Sequence, residues 1–158
     1  MKKIKEWTLE IILAAILICW IFVLGPVRVE GESMLPTVQD DSLVLTKKMF
    51  YEVDRFDIVL AFMNKTPVIK RVIGLPGETV CIDEEGVIWI DGVPLSETDP
   101  DTYLASAPYC GKTITLGEDE YFLLGDNRAV SRDSRMEGPV KRSAVFGKVV
   151  YVFGSSEK

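Results

Sequence analysis

Val68-Ile69-Lys70-Arg71-Val72-Ile73 decides how this chain is read. Four of its six residues are β-branched, which favours an extended strand. Successive side chains on a strand point to opposite faces, so residues 68, 70 and 72 share one face and 69, 71 and 73 the other. Lys70 then stands between Val68 and Val72, and Arg71 points away from it. A lysine among such neighbours loses solvation, which disfavours its ammonium form. Lowering a lysine pKa from its ordinary value of about 10.4 to about 8 takes roughly 3 kcal/mol, within reach of burial. At an exposed edge the same residue is an ordinary solvated lysine, and the segment alone is compatible with both.

Outward from it the pattern stays strand-like. Ser42–Thr46, Asp57–Met63, Pro67–Ile73, Thr79–Ile82, Val87–Ile90, Thr113–Leu116, Tyr121–Leu124 and Ala144–Phe153 are rich in valine, isoleucine and aromatics. Glycine, proline or acidic residues separate them. Glu84-Glu85-Gly86 and Asp91-Gly92 read as hairpin turns, the second of type I′. Ser96–Gly111 reads as an exposed loop, and no segment after residue 30 has a helical period. The expected fold is mainly β: a folded antiparallel sheet or partly closed β-barrel.

The first thirty residues differ. Lys2, Lys3 and Lys5 precede an uninterrupted apolar run from Ile11 to Leu24. With its flanks, Trp7–Val27 spans about 20 residues, the length of a transmembrane helix. Glu10, near the basic end, is tolerated there by snorkelling or by pairing with Lys3 or Lys5. The expected organisation is a cytoplasmic start (1–6), a membrane anchor (7–27) and an extracytoplasmic domain (28–158). A cleaved signal peptide is the rival reading, but Gly25-Pro26-Val27-Arg28-Val29-Glu30 offers no small-residue cleavage site.

Composition excludes several chemistries. The 158 residues carry a formal charge of −6, so no broad nucleic-acid surface is expected. There is no histidine. That removes a serine–histidine–aspartate triad, a cysteine–histidine pair and imidazole-bound zinc. Cys19, Cys81 and Cys110 lack metal-ligand spacing. Cys81 and Cys110 fall on one side of the anchor, where a disulfide between them is possible. No metal or cofactor is expected.

Two further places concentrate polar residues. Gly31-Glu32-Ser33-Met34-Leu35-Pro36-Thr37 puts Ser33 in a turn shortly after the apolar run. On its own it reads first as a plain turn serine, with a nucleophile as the second reading. Gly125-Asp126-Asn127-Arg128-Ala129-Val130-Ser131-Arg132-Asp133-Ser134-Arg135 follows the apolar Tyr121–Leu124. It reads as a charged loop or as a hydrogen-bonded polar platform. Met49-Phe50-Tyr51 is an apolar cluster for which core packing is expected over contact with a membrane.

Together and in this order these segments resemble the type I signal peptidases, the bacterial leader peptidase family, in the compact Gram-positive form. The resemblance covers the apolar run, the Ser33 turn, Asp57–Phe62, the Lys70 strand continuing through Gly74-Leu75-Pro76-Gly77-Glu78, and Gly125–Arg135. It implies Ser33 as nucleophile and Lys70 as general base. It implies that Ser131 orients the lysine amine, that Asp126 partners Arg71, and that Asp133 and Arg135 form a bracing ion pair. Met34 matches a wall of the pocket for the residue before the cut. The implied substrates are signal peptides of exported preproteins, cut after Ala-x-Ala at the membrane surface by a monomer.

Two departures stand out. Some members carry a serine where this chain has Gly31, so the oxyanion hole must rest on backbone, chiefly the Ser33 N–H. Ala129-Val130 replaces the usual acid and amide. An internal Ala105-Ser106-Ala107 precedes Pro108, whose tertiary amide is expected to block self-cleavage. The alternatives are a specialised pilus- or conjugation-type processing peptidase and a non-catalytic membrane-tethered β-domain. A self-cleaving repressor would carry a helical DNA-binding domain, which the sequence does not suggest.

Overall fold

The computed structural model describes residues 7–14, 23–98 and 106–154. Residues 7–14 form helix α1. Among the described residues eleven strands follow: β1 (Leu24–Arg28), β2 (Leu43–Lys47), β3 (Ile58–Met63), β4 (Thr66–Gly74), β5 (Thr79–Ile82), β6 (Val87–Ile90), β7 (Val93–Thr98), β8 (Ile114–Thr115), β9 (Glu120–Leu124), β10 (Val140–Lys141) and β11 (Val145–Phe153). A single-turn helix α2 (Ser134–Glu137) separates β9 from β10. Each expected strand is present, with ends displaced by no more than one residue.

The strands form two antiparallel sheets. The larger runs β1-β2-β11-β3-β4-β9-β10 and the smaller β7-β6-β5-β8. Both are open, with β1 and β10 at the edges of the larger, so the expected antiparallel sheet is present as two sheets that share a core, and no closed barrel forms among the described residues. Alternation builds that core. Phe122 and Leu124 of β9 pack with Ile73, Val80, Ile82, Ile88 and Leu116 between the sheets. Leu123 and Tyr121 turn the other way, to Val59, Ala61, Met63 and Val72. Leu60 and Ile69 face a third cluster with Val29, Met34, Val38 and Val44. Each fully buried aliphatic side chain contributes about 1.5–3 kcal/mol. The two-residue turn between β6 and β7 has positive φ at both Asp91 and Gly92, as a type I′ hairpin requires.

Several expectations need correction. The apolar run does not stay helical to Val27: Leu24–Arg28 pairs with β2, from Leu24 opposite Lys47 to Arg28 opposite Leu43. Pro26, which lacks an N–H, is tolerated because β1 is an edge strand. The expected anchor also includes residues 15–22, outside the described residues. Among the described residues no helix is long and apolar enough to cross a membrane. Ser96–Gly111 is not simply an exposed loop, since β7 extends to Thr98 and Ala107 and Cys110 are buried. Ala107 is only 5% exposed, so its side chain is packed away although Ser106 and Pro108 on either side of it are exposed. Met49 and Phe50 do not pack in the core: Phe50 is 80% exposed, while Tyr51 lies under the Arg142 guanidinium at 5.0 Å. Cys81 and Cys110 are not joined by a disulfide.

Candidate active site

Three chain segments converge on the first half of β4. The first is the Ser33 turn. Val29 N–H donates to Ser42 O at 2.9 Å and Val38 N–H to Met34 O at 2.9 Å, while Met34 and Val38 are sunk in the core. Gly31 takes φ +100, and its N–H donates to Asp40 Oδ1 at 2.7 Å. The turn is thus held at both ends, with Ser33 at its crest.

The second is β4 itself. Ile58 of β3 opposes Arg71 and Val59 opposes Lys70, which places the two cations on opposite faces, as the alternation requires. Lys70 is 3% exposed, and its Nζ donates to Ser33 Oγ at 2.6 Å and to Ile69 O at 2.9 Å. Burial pushes the amine below its ordinary value; Asp133 and Asp126 pull the other way, and Arg135 adds to the fall. Arg71 forks onto Asp126, Nε to Oδ1 at 2.7 Å and Nη2 to Oδ2 at 2.5 Å, and reaches Phe56 O at 2.8 Å. This is the Arg71–Asp126 pair that the resemblance implies.

The third is Gly125–Arg135, which leaves the end of β9. Arg71 opposes Leu124 in the ladder, so the chain turns off beside Lys70. Asp133 and Arg135 are wholly buried and pair through Nε–Oδ1 and Nη2–Oδ2, both 2.8 Å. Asp133 also accepts from Gly125 N–H at 3.0 Å, and Arg135 donates to Arg128 O at 2.7 Å. Removing one member of such a pair costs about 3–5 kcal/mol. The Ala129-Val130 departure does not open the loop, because Ser131 N–H and Val130 N–H both donate to Asn127 O, at 3.0 and 3.3 Å.

Two expected residues are placed differently from their assigned roles. Ser131 is buried and its Oγ has no hydrogen-bond partner among the described residues, so it does not bond the Lys70 amine here. Met34 is 0% exposed and lies outside the lining of the groove. That groove, of about 630 Å³, is lined by Gly31, Ser33, Met63, Val68, Lys70 and Val130, with Glu32, Arg132, Glu137 and Asn64 also contributing. A second, of about 230 Å³, lies between Val27–Glu30 and Pro67–Ile69.

Other residues matter that sequence reading does not single out. Gly125 packs so tightly that an added Cβ would lie 2.1 Å from Ser131 Oγ and 2.5 Å from Ser33 O. Asn127 binds the Ser33 turn twice, N–H to Ser33 O at 3.0 Å and Nδ2 to Glu32 O at 3.1 Å. Buried Arg128 donates Nε to Gly125 O at 3.0 Å. Only the polar density of this segment signals them.

A mainly β fold that brings a buried lysine amine onto a serine hydroxyl, with no histidine in the chain, defines a peptidase class that works without imidazole. The chain belongs to one family of that class, signal peptidase, peptidase S26, whose family pattern matches residues 4–154. It is 32% identical to signal peptidase I S of Bacillus subtilis over 170 residues, covering 96% of this chain and 90% of that protein. To signal peptidase I of Bacillus licheniformis it is 36% identical, covering 96% and 89%. A crystal structure of a signal peptidase I from Enterococcus faecalis is similar at a TM-score of 0.51 and 33% identity, covering 65% of this chain and 100% of that one.

Proposed function

We propose that this S26 peptidase is anchored in the membrane by its apolar N-terminal run and removes signal peptides from exported preproteins after small residues, in the Ala-x-Ala pattern. Ser33 is the nucleophile and Lys70 the general base. The observation that carries this is the 2.6 Å contact between Lys70 Nζ and Ser33 Oγ at a buried amine. The distance is within the reach of nucleophile and base, and burial favours the neutral amine that a base must be.

Neutral Lys70 takes the Ser33 proton as Oγ bonds to the scissile carbonyl carbon. The carbonyl oxygen becomes an oxyanion, held by the Ser33 N–H. The C–N bond then breaks, the leaving amine receives the proton from Lys70, and an acyl-enzyme remains. A water gives its proton to Lys70 and attacks the ester carbon; the bond to Ser33 Oγ breaks, Oγ takes the proton back from Lys70, and the signal peptide leaves. Ser131, whose buried hydroxyl makes no hydrogen bond to the described residues at rest, is assigned to turn onto the amine and orient it during these transfers. Arg71–Asp126 and Asp133–Arg135 hold the platform on which the base rests.

The substrate's path follows from β4. Strand β9 pairs only from Arg71 onward, which leaves Thr66–Lys70 with β3 on one side and a groove on the other. An extended peptide laid there makes main-chain bonds independent of its sequence. Residues one and three before the cut share a face, because a strand has period two, and meet the same wall. The domain faces the extracytoplasmic side under the positive-inside rule. The test is direct: full-length protein in detergent, mixed with a preprotein, yields a product whose N-terminus follows Ala-x-Ala. Neither Ser33→Ala nor Lys70→Ala yields it, and near-normal turnover in either overturns the assignment.

A further inference from the structure

We propose that Asn127 is a positioning residue that sets the direction of the oxyanion-binding N–H of Ser33 by gripping the opposite end of the same peptide unit. The inference rests on the assignment of Ser33 as nucleophile above. The Glu32 carbonyl and the Ser33 N–H belong to one planar trans amide and point in opposite directions. Whatever holds Glu32 O therefore also aims the Ser33 N–H. Asn127 Nδ2 donates to Glu32 O at 3.1 Å, and the Asn127 N–H donates to Ser33 O at 3.0 Å, so both flanking carbonyls are tied to one residue. Glu32 O also accepts from Leu35 N–H at 3.2 Å, but that donor belongs to the turn and moves with it. Asn127 comes from across the fold, at the end of β9, on a segment tied to buried Asp133 through Gly125.

This grip matters more here than it would where a side chain supplies the oxyanion donor. Gly31 has no hydroxyl, and its φ of +100 would strain any other residue placed there, although the space beside it is open. The hole then depends on how one amide is aimed. A hydrogen bond on the carbonyl also polarises that amide, which strengthens the N–H at its other end. Donors of this kind act by preorganisation, and losing one costs about 100–1,000-fold in kcat. Losing only its aim costs less, so Asn127→Ala is expected to lower kcat about 10–100-fold.

The experiment measures kcat and KM of full-length wild type, Asn127→Ala, Asn127→Asp and Asn127→Gln on a signal-peptide substrate. It also measures affinity for an Ala-x-Ala peptide aldehyde and for the same peptide as its acid. In the aldehyde adduct Ser33 Oγ bonds to the aldehyde carbon, its proton passes to Lys70, and the aldehyde oxygen becomes the oxyanion. For Asn127→Ala the expected result is a fall in kcat with KM within about 3-fold, matched by an equal loss of aldehyde affinity. Binding of the acid and the pH midpoint of kcat stay unchanged. Asn127→Asp, isosteric but only an acceptor facing a carbonyl, is at least as impaired, and Asn127→Gln, which keeps the donor, recovers part of the loss. Unchanged kcat and aldehyde affinity overturn the inference, as does a parallel loss of aldehyde and acid binding, which would mark general damage. If Asn127→Ala does not fold, Asn127→Asp carries the same comparison. Cleavage by Ser33→Ala, or an aldehyde that fails to bind wild type, sinks the nucleophile assignment instead.

Discussion

Gly125→Ala perturbs the site with one carbon atom. The new Cβ would lie 2.1 Å from Ser131 Oγ and 2.5 Å from both Ser131 Cβ and Ser33 O. The Ser131 hydroxyl has no bond to lose among the described residues and can swing aside, but Ser131 Cβ and the Ser33 carbonyl are not flexible ends. To reach the 3.4 Å at which ordinary contact begins, each must retreat from 2.5 Å by about 0.9 Å. The Ser33 carbonyl is tied to Asn127, and its hydroxyl to Lys70 at 2.6 Å, so the retreat is drawn from the catalytic contact. A misplacement of about 1 Å is enough to lower turnover roughly 100-fold, while overpacking of this kind costs about 1–3 kcal/mol of stability. The assay pairs kcat/KM on a preprotein with thermal denaturation. The expected variant still melts cooperatively and has lost about 100-fold in kcat/KM. Activity within about 3-fold of wild type would refute the claim that Gly125 spaces the nucleophile from its platform.

Further outcomes follow from the same geometry. Cleavage rises with pH as Lys70 sheds its proton, with a midpoint below the ordinary lysine value of 10.5; a flat profile from about pH 6 to about pH 10 counts against lysine as base. Because the folded-state pKa is lowered, the unfolded chain binds more protons between that value and 10.5, so the Lys70 contribution to stability grows as pH rises through this window. Lys70→Met is therefore most stabilising, relative to wild type, on the acid side of the window, and denaturant titrations at several pH values read the trend. Asp133→Ala strands Arg135 in the core and lowers unfolding free energy by about 3–5 kcal/mol in urea titration. Pro108→Ala alone leaves the intact mass unchanged under native conditions, because Ala107 is packed; mass spectrometry after long incubation checks this.

Strand alternation is the part of the site most legible in the sequence. It puts Lys70 and Arg71 on opposite faces, and the ladder with β3 keeps them there. The Asp133–Arg135 pair is legible only through the family resemblance, since nothing in the spacing announces that both charges are wholly buried. Strand β1 is hidden because Leu24-Gly25-Pro26-Val27-Arg28 continues an apolar run, and the pairing with β2 that makes it a strand is a long-range fact. Phe50 departs from expectation because an apolar residue near strands usually packs, whereas here it sits at φ +55 with its ring exposed. Met34 is expected at a pocket wall from its neighbour's role, but the turn points it into the core while Ser33 points to the groove. The Gly125 contact and the Asn127 grip are signalled only by the polar density of their segment, because each depends on the meeting of two segments far apart in sequence.

In the proposed reaction Ser33 becomes acylated with Lys70 as its base. The most direct test is rapid mixing of full-length protein with an activated ester of an Ala-x-Ala peptide, acid quench, and mass spectrometry of the digest. A transient acyl adduct is expected on the peptide that contains Ser33, absent in Ser33→Ala and strongly reduced in Lys70→Ala. An adduct on another residue, or undiminished acylation without Lys70, would contradict it.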